Sequence, residues 1–420
     1  YGVSVKVKDS PSIGTTTDGN GRYILVVPTN STLIFSYVGY ANQEIAIADK
    51  RRIDVQLTPD QSLSEVVVVG YGTQKKTSVV GALESVKPET LRIPTANLSN
   101  ALGGRLSGVI AVQRSGEPGA DGASFFIRGV STFSGATNPL ILLDGVAISK
   151  GDLDALAPEV IESFSVLKDA TATAVFGTRG ANGVLIITTK TGKDLNKPRI
   201  SARAQSQISR PTSIPKFVDG VSYMEMFNEA VTGRGTGEIL YSQDKINGTR
   251  LGLDPYVYPN VDWYNEMFKS HTINNELNLN VQGGGSKIGY FLSATGNISN
   301  GLLRKFDLNS FDNNVSVKRY SFQNNINVNL TSTTKIALKL NAQLRDYYGA
   351  GVDAPSVFGD IMNANPVDFP IMFPFTGIDR RDVQYGGKAG GTVNNGFVNP
   401  FARMVNGYQN GFQSTLLTTI

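Results

Sequence analysis

The chain has 420 residues, room for two or three domains, with 45 glycines, 40% hydrophobic and only 18% charged residues. Its net charge is +4, with Lys and Arg spread along the chain, so there is no basic footprint for nucleic acid. The absence of cysteine and the single histidine, His271, exclude disulfides, thiolate metal sites, most zinc sets and His-based triads, and nothing calls for a cofactor.

Residues 1–58 read as a small β-sandwich. VSVKVKD alternates, Asp18-Gly19-Asn20-Gly21 is a turn, and Arg22–Val27 is the strand it feeds. STLIFSYVGY, QEIAIAD and RIDVQL follow at the roughly 8–12-residue spacing of a sandwich. The alternation of Val3, Val5 and Val7 starts at once, so the beginning reads as a processed or trimmed end, with a first strand missing. Residues 59–76 are a connector holding Pro59 and EVVVVGYGTQKK. Val66–Val69 favour extended backbone because β-branched side chains are stiff. Set between two self-contained domains and followed by Gly70-Tyr71-Gly72, this run is expected to keep free backbone groups for strand addition by another protein.

Residues 77–192 read as a compact α+β unit. Leu91, Leu98, Leu102 and Leu106 give Pro88–Leu106 helical spacing, and short strands follow at Gly108–Gln113, Ser124–Arg128 and Leu140–Leu143. Pro158–Phe164 and Ala170–Phe176 read as short helices, and GVLIITTK, Gly183–Lys190, as a strand. From residue 198 the pattern becomes period two. Ile273, Leu277, Leu279 and Val281 alternate with Asn274, Glu276, Asn278 and Asn280. The same alternation recurs over Ile288–Ala294, Tyr320–Leu330 and Ile336–Leu344. Short turns at 283–286 and 331–334 alternate with longer links at about 296–314 and from 346 onward. Apolar on one face, rich in Asn, Gln and Lys on the other, this is the layout of a transmembrane β-barrel; a soluble sheet with one wet face is the competing reading. A barrel wide enough to hold a plug needs about 22 strands, and 198–420 supplies about eight to ten. The pattern breaks off within a strand at STLLTTI, so the rest of the barrel is expected outside this chain.

Candidate catalytic motifs fail on context. Asp18-Gly19-Asn20-Gly21 lacks the spacing and terminal Glu of a calcium loop. GTRGANG, Gly177–Gly183, has no βαβ setting or acidic residue after it, and KTGK, Lys190–Lys193, lacks the phosphate loop's upstream glycine and Ser/Thr.

Four landmarks in order resemble the SusC/RagA-type branch of the TonB-dependent outer-membrane transporters. GTTTDGNGRYILVVP and TLIFSYVGY are similar to its N-terminal carboxypeptidase-regulatory-like domain, and EVVVVGYGTQKK to its TonB-box region. ALGGRLSGV, FIRGVSTFSGATNPLILLDGV and IESFSVLKDATATAVFGTRGANGVLIITTK look like its plug, and alternating strands follow.

The resemblance implies a mainly β protein: the sandwich at 1–58, a linker with the TonB box at 59–76, a plug at 77–192 and the N-terminal part of a large antiparallel barrel at 198–420. The TonB box would be Val66, Val67, Val68, Val69, Gly70, Tyr71 and Gly72. Arg128 and Arg179 would pair with carboxylates of the barrel and latch the plug. Plug loops facing an external cavity would carry Glu117, Asp121, Thr132, Phe133, Ser134, Asn138 and Asp152 toward the cargo. Tyr347, Tyr348, Phe358 and Phe369 would sit on an external loop, stacking on sugars or packing the loop. The implied partners are a SusD-like surface lipoprotein, TonB with ExbB–ExbD, outer-membrane lipid and a second transporter–lipoprotein pair. The implied cargo is an oligosaccharide; oligopeptides are the family's other common cargo, and a siderophore or vitamin receptor is the rival within the superfamily. A carboxypeptidase fails because one histidine cannot supply a His₂Glu zinc set.

Overall fold

The computed structural model describes residues 2–58, the three strands 66–69, 72–75 and 83–86, then 97–374, 384–387 and 399–420, apart from single positions and short segments within these spans, the longest being 130–136. Gly70, Tyr71, Thr132, Phe133 and Ser134 lie outside the described residues.

In the N-terminal domain, β1 (Ser4–Val7), β2 (Ser10–Thr16), β3 (Thr32–Ser36) and β4 (Gln43–Ala46) form an antiparallel sheet in the order β2-β1-β3-β4. Alternation turns Val5, Val7, Leu33 and Phe35 into one core. Arg22–Val27 and RIDVQL, read as strands, join no ladder, although exposure alternates along both. Their alternate residues Tyr23, Leu25, Ile53 and Val55 close the other side of that core, and the Tyr23 hydroxyl donates to the Ile53 carbonyl (3.1 Å).

The valine run does not stand free. β5 (Val66–Val69) pairs antiparallel with β6 (Gly72–Lys75), Val69 opposite Gly72, in a two-stranded hairpin separate from every other sheet. A lone hairpin is marginally stable at best.

The plug is a five-stranded sheet in the order β11-β10-β13-β12-β7, from β7 (Leu83–Val86), β10 (Leu140–Leu143), β11 (Val146–Ala147), β12 (Ile161–Leu167) and β13 (Val184–Thr189). The pair β8 (Val109–Val112) and β9 (Ser124–Ile127) flanks it. Among the described strands of the plug, only β10 and β13 pair in parallel. Two readings are corrected. Pro158–Phe164 is no helix: a 3₁₀ turn at Pro158–Val160 leads into β12, whose Phe164 and Val166 are fully buried. Within Pro88–Leu106 the described part is a 3₁₀ turn at Leu98–Ala101 followed by turns. One sheet face packs on Leu102, Leu106, Leu153 and Leu156, the other on Ala172 and Phe176 around the short helix α2 (Ala170–Thr173). Helix α1 (Lys150–Asp154) starts in a reciprocal capping box of Ser149 and Asp152.

The wall is six antiparallel strands in sequential order: β14 (Arg199–Ser209), β15 (Thr272–Gly284), β16 (Ile288–Asn300), β17 (Ser316–Asn329), β18 (Lys335–Ala350) and β19 (Tyr408–Thr419). Ile200, Ile208, Leu277, Leu279, Phe322 and Leu416 point outward and exposed, while Asn278, Asn325 and Asn341 on the opposite face are buried against the plug. Among the described residues the wall has six strands rather than about eight to ten, because two links hold structure of their own. The first, 210–271, carries α3 (Gly220–Arg234), α4 (Gln243–Arg250) and α5 (Trp263–Met267); the second, 351–407, carries α6 (Ala354–Asn363) and α7 (Pro400–Val405). They pack together around Trp263, Met267, Ile361, Phe369, Phe401 and Met404, and the Trp263 indole donates to the Asn365 carbonyl (3.0 Å).

Candidate functional site

Plug and wall meet along a seam of charge and amides. β10 and β11 are joined by Asp144-Gly145, both at positive φ (50° and 90°), the geometry that a two-residue hairpin demands. This turn presents the Asp144 carboxylate, which accepts from the Thr189 amide (3.1 Å) and hydroxyl (2.5 Å) and from Lys339 of β18 (2.6 Å). On β14, Arg203 lies between Glu159 of the plug and Glu276 of β15. Its Nε is 2.9 Å from Glu159 Oε1 but poorly aligned, so attraction of charge and a second, longer hydrogen bond (3.3 Å) carry that contact. Asn325 of β17 donates to the Thr189 hydroxyl and the Lys190 carbonyl, and Gln282 of β15 to the Thr191 carbonyl. Phe291 of β16, 2% exposed, is an apolar wall residue set into the plug core.

Arg128 and Arg179 were expected to form this seam. Arg128 instead pairs with Asp169 of the plug itself, at a left-handed φ of 60°. Arg179 is exposed and makes no ion pair among the described residues. Among the described plug–wall ion pairs, carboxylates stand on the plug and cations on the wall. The signal was present in the sequence, because the polar faces of β14, β17 and β18 carry Arg203, Arg319, Lys339 and Arg345.

Above the seam lies a cavity of about 860 Å³ between the plug loop 113–118, wall residues such as Gln207, Asn274 and Ser299, and the external links through Tyr264, Phe268, Ala354, Pro355 and Phe358. Arg114, Arg210, Glu117 and Asp121 give it both signs of charge. Glu117 accepts from the backbone amide of Ala354, the first residue of α6 (3.1 Å), and so ties plug to external link. Burial pushes its carboxyl up, the Ala354 amide opposes this, and the Asp353 and Asp121 charges add to it.

The other expected ligand residues fare differently. Asp121 holds its own loop, accepting from the Gly119 amide (3.0 Å), and lies 3.8 Å from Arg319 of the wall. The Asp152 carboxylate caps α1 through Ser149, and the residue lines a smaller cavity between plug and wall rather than the large one. Asn138 is exposed, and its carbonyl accepts from Asn182. Tyr347 and Tyr348 are not on a loop: β18 runs on to Ala350 and carries them both. Tyr348 stacks on Tyr408 of β19 (centroids 5.7 Å apart) and Tyr347 lies beside the Arg345 guanidinium. Phe369 is 3% exposed against Trp263, which leaves it no face for a sugar. Phe358 does reach the cavity.

Residues 75–184 match the TonB-dependent receptor plug domain, and residues 1–69 the carboxypeptidase-regulatory-like domain. TonB-dependent receptor P26 of Formosa agariphila is 32% identical over 81% of this chain and 32% of its own length. TonB-dependent receptor SusC of Bacteroides thetaiotaomicron is 30% identical over 79% of this chain and 32% of its own length. The chain thus spans about a third of these relatives. Among solved structures, the RagAB peptide importer in its open-open state aligns with a TM-score of 0.60 and 25% identity, over 74% of this chain and 37% of that one. The chain belongs to the SusC-type TonB-dependent receptors, outer-membrane β-barrel proteins closed by a plug.

Proposed function

We propose that the protein is a transporter, not an enzyme, that imports polar oligomers across the outer membrane when TonB pulls on its N-terminal segment. The observation that carries this reading is the seam. The plug is held to the wall by a few ion pairs and amide bonds around one inserted phenylalanine, and so can be displaced as a unit. The cavity above it is walled by plug, barrel and external links together, so cargo there touches the part that must move.

Val66, Val67, Val68, Val69, Gly70, Tyr71 and Gly72 serve as the TonB box in this reading. Their hairpin exchanges its self-pairing for a strand of TonB, and main-chain hydrogen bonds then carry the pull to β7 at the plug's edge. A SusD-like lipoprotein covers the packed external links, and transporter–lipoprotein pairs associate as dimers in the outer membrane. The cargo is an oligosaccharide, held by the amides and hydroxyls of the cavity; the likeness to a peptide importer makes oligopeptides the second reading. The test is Val67→Pro in the full-length protein. It removes a backbone donor from β5, and energised import is expected to cease while surface binding of cargo persists. Normal import by this variant would return the valines to a structural role.

A further inference from the structure

Displacing the plug would change the charge of the wall it leaves. Among the described residues, four wall cations meet the plug: Arg203 at Glu159, Arg319 at Asp121, Lys339 at Asp144, and Arg345 at the Gly119 carbonyl. One wall carboxylate, Glu276, shares that face. With the plug's three carboxylates gone, this sector holds four positive charges and one negative, a net of +3. Arg319 and Arg345 stand directly opposite each other on β17 and β18. Like charges in that position destabilise a sheet. Both guanidinium groups are covered by one plug loop. Asp121 lies 3.8 Å from Arg319, and the Gly119 carbonyl accepts from Arg345 at 3.3 Å. The loop seats closely: Gly119 has a φ of +92°, and a Cβ there would lie 2.6 Å from the Arg345 guanidinium. A cavity of about 180 Å³ between loop and wall already reaches both arginines, beside Gln343 and Gln413.

We propose that Arg319 and Arg345 form an anion-recognising station in the import path. It is occupied by the Asp121 loop while the plug is seated and taken over by a carboxylate or sulfate of the cargo once the plug moves. The cargo is then an anionic oligosaccharide carrying uronate or sulfate groups. This rests on the reading of the protein as an importer. Guanidinium forks suit planar carboxylate and sulfate oxygens. A lumen with low-dielectric walls concentrates their field, so three net charges favour anions over a distance. The neighbouring chain of amides, in which Gln343 donates to Asn341, Asn341 to Gln323 and Gln323 to Asn325, supplies partners for sugar hydroxyls beside the charged pair.

The experiment uses the full-length transporter in planar bilayers, its plug loosened by Asp144→Asn, a change away from the two arginines. Under a KCl gradient the opened lumen is expected to be anion-selective, and Arg319→Gln with Arg345→Gln is expected to move the reversal potential toward cations. Tetragalacturonate and a sulfated tetrasaccharide should block the current at least ~10-fold more strongly than maltotetraose, about 1.4 kcal/mol, and the paired variant should erase that difference. Which of the two blocks better separates uronate from sulfate. A cation-selective lumen, equal block by the neutral sugar, or stronger block by an acidic tetrapeptide overturns the proposal while leaving transport standing. A loosened protein that conducts nothing removes the transport reading and this inference with it.

Discussion

Asp144→Asn tests whether the seam holds the plug. The substitution keeps the shape of the side chain, and asparagine tolerates the left-handed φ of 50° at this turn. It removes the charge and turns one accepting oxygen into a donor; with the remaining oxygen kept on the Thr189 amide, the Thr189 hydroxyl can rotate to accept from the new NH₂ group. The Asp144 side chain is 6% exposed and that of Lys339 21%, so the variant leaves a cation with little water and no counter-charge. Breaking a buried pair costs about 3–5 kcal/mol; the partial exposure of Lys339 lowers this to about 2–3 kcal/mol. At ~1.4 kcal/mol per decade, the displaced plug should be populated about 30- to 150-fold more. The assay is the frequency of channel openings of the full-length protein in planar bilayers, with heat-modifiable mobility on gels as the check on assembly. Lys339→Met in the same background removes the orphaned cation and should restore most of the closure, a coupling that a double-mutant cycle measures. An unchanged opening frequency in a fully assembled Asp144→Asn variant, or additive effects of the two changes, would refute the argument.

Other positions give independent readings. Phe291→Ala takes a buried wall residue out of the plug core and should cost about 3–5 kcal/mol of plug seating, read as increased openings without loss of barrel assembly. Gly192→Ala should impair assembly itself, because its Cβ would lie 2.0 Å from the Tyr290 backbone nitrogen, where the chain leaving the plug crosses β16; its heat-modifiable band on gels should weaken or vanish. Arg128→Ala and Arg179→Ala should leave openings unchanged, since neither side chain pairs with the wall among the described residues; a leak from the pair would restore them as latches.

The sequence carried the architecture further than the contacts. β15 to β18 were legible because one face is apolar and exposed and the other polar and turned to the plug, and period two is the direct consequence. β12 was misread because it lies inside a sheet covered on both faces, and such a strand has no alternation to show. Val160, Ile161 and Phe164 then imitate helical spacing. The stretch from 346 onward reads in the sequence as a loop and 210–271 shows no pattern, yet Trp263 shares one core with Phe369 and Phe401, both more than a hundred residues further along the chain. No local pattern reports that. Analogy placed cations on the plug, whereas among the described residues the charge on the polar faces of the strands places the seam's cations on the wall.

Glu117 offers the last test. Its carboxyl is raised in the folded protein, chiefly by burial, so the native state holds its proton to higher pH than the unfolded chain does. A raised acid costs stability as pH climbs from the ordinary carboxylate range through the folded value, and that cost is absent below the ordinary range. Glu117→Gln keeps an oxygen for the Ala354 amide and removes the charge. The variant should therefore melt with the wild type at pH 4 and above it at pH 7, with the difference opening between. If Glu117 served mainly as a charged anchor for the N-terminus of α6, the sign would reverse and the variant would be the less stable protein at pH 7. Melting curves of the full-length protein in detergent at those two pH values decide between burial and the helix end as the dominant influence on this carboxylate.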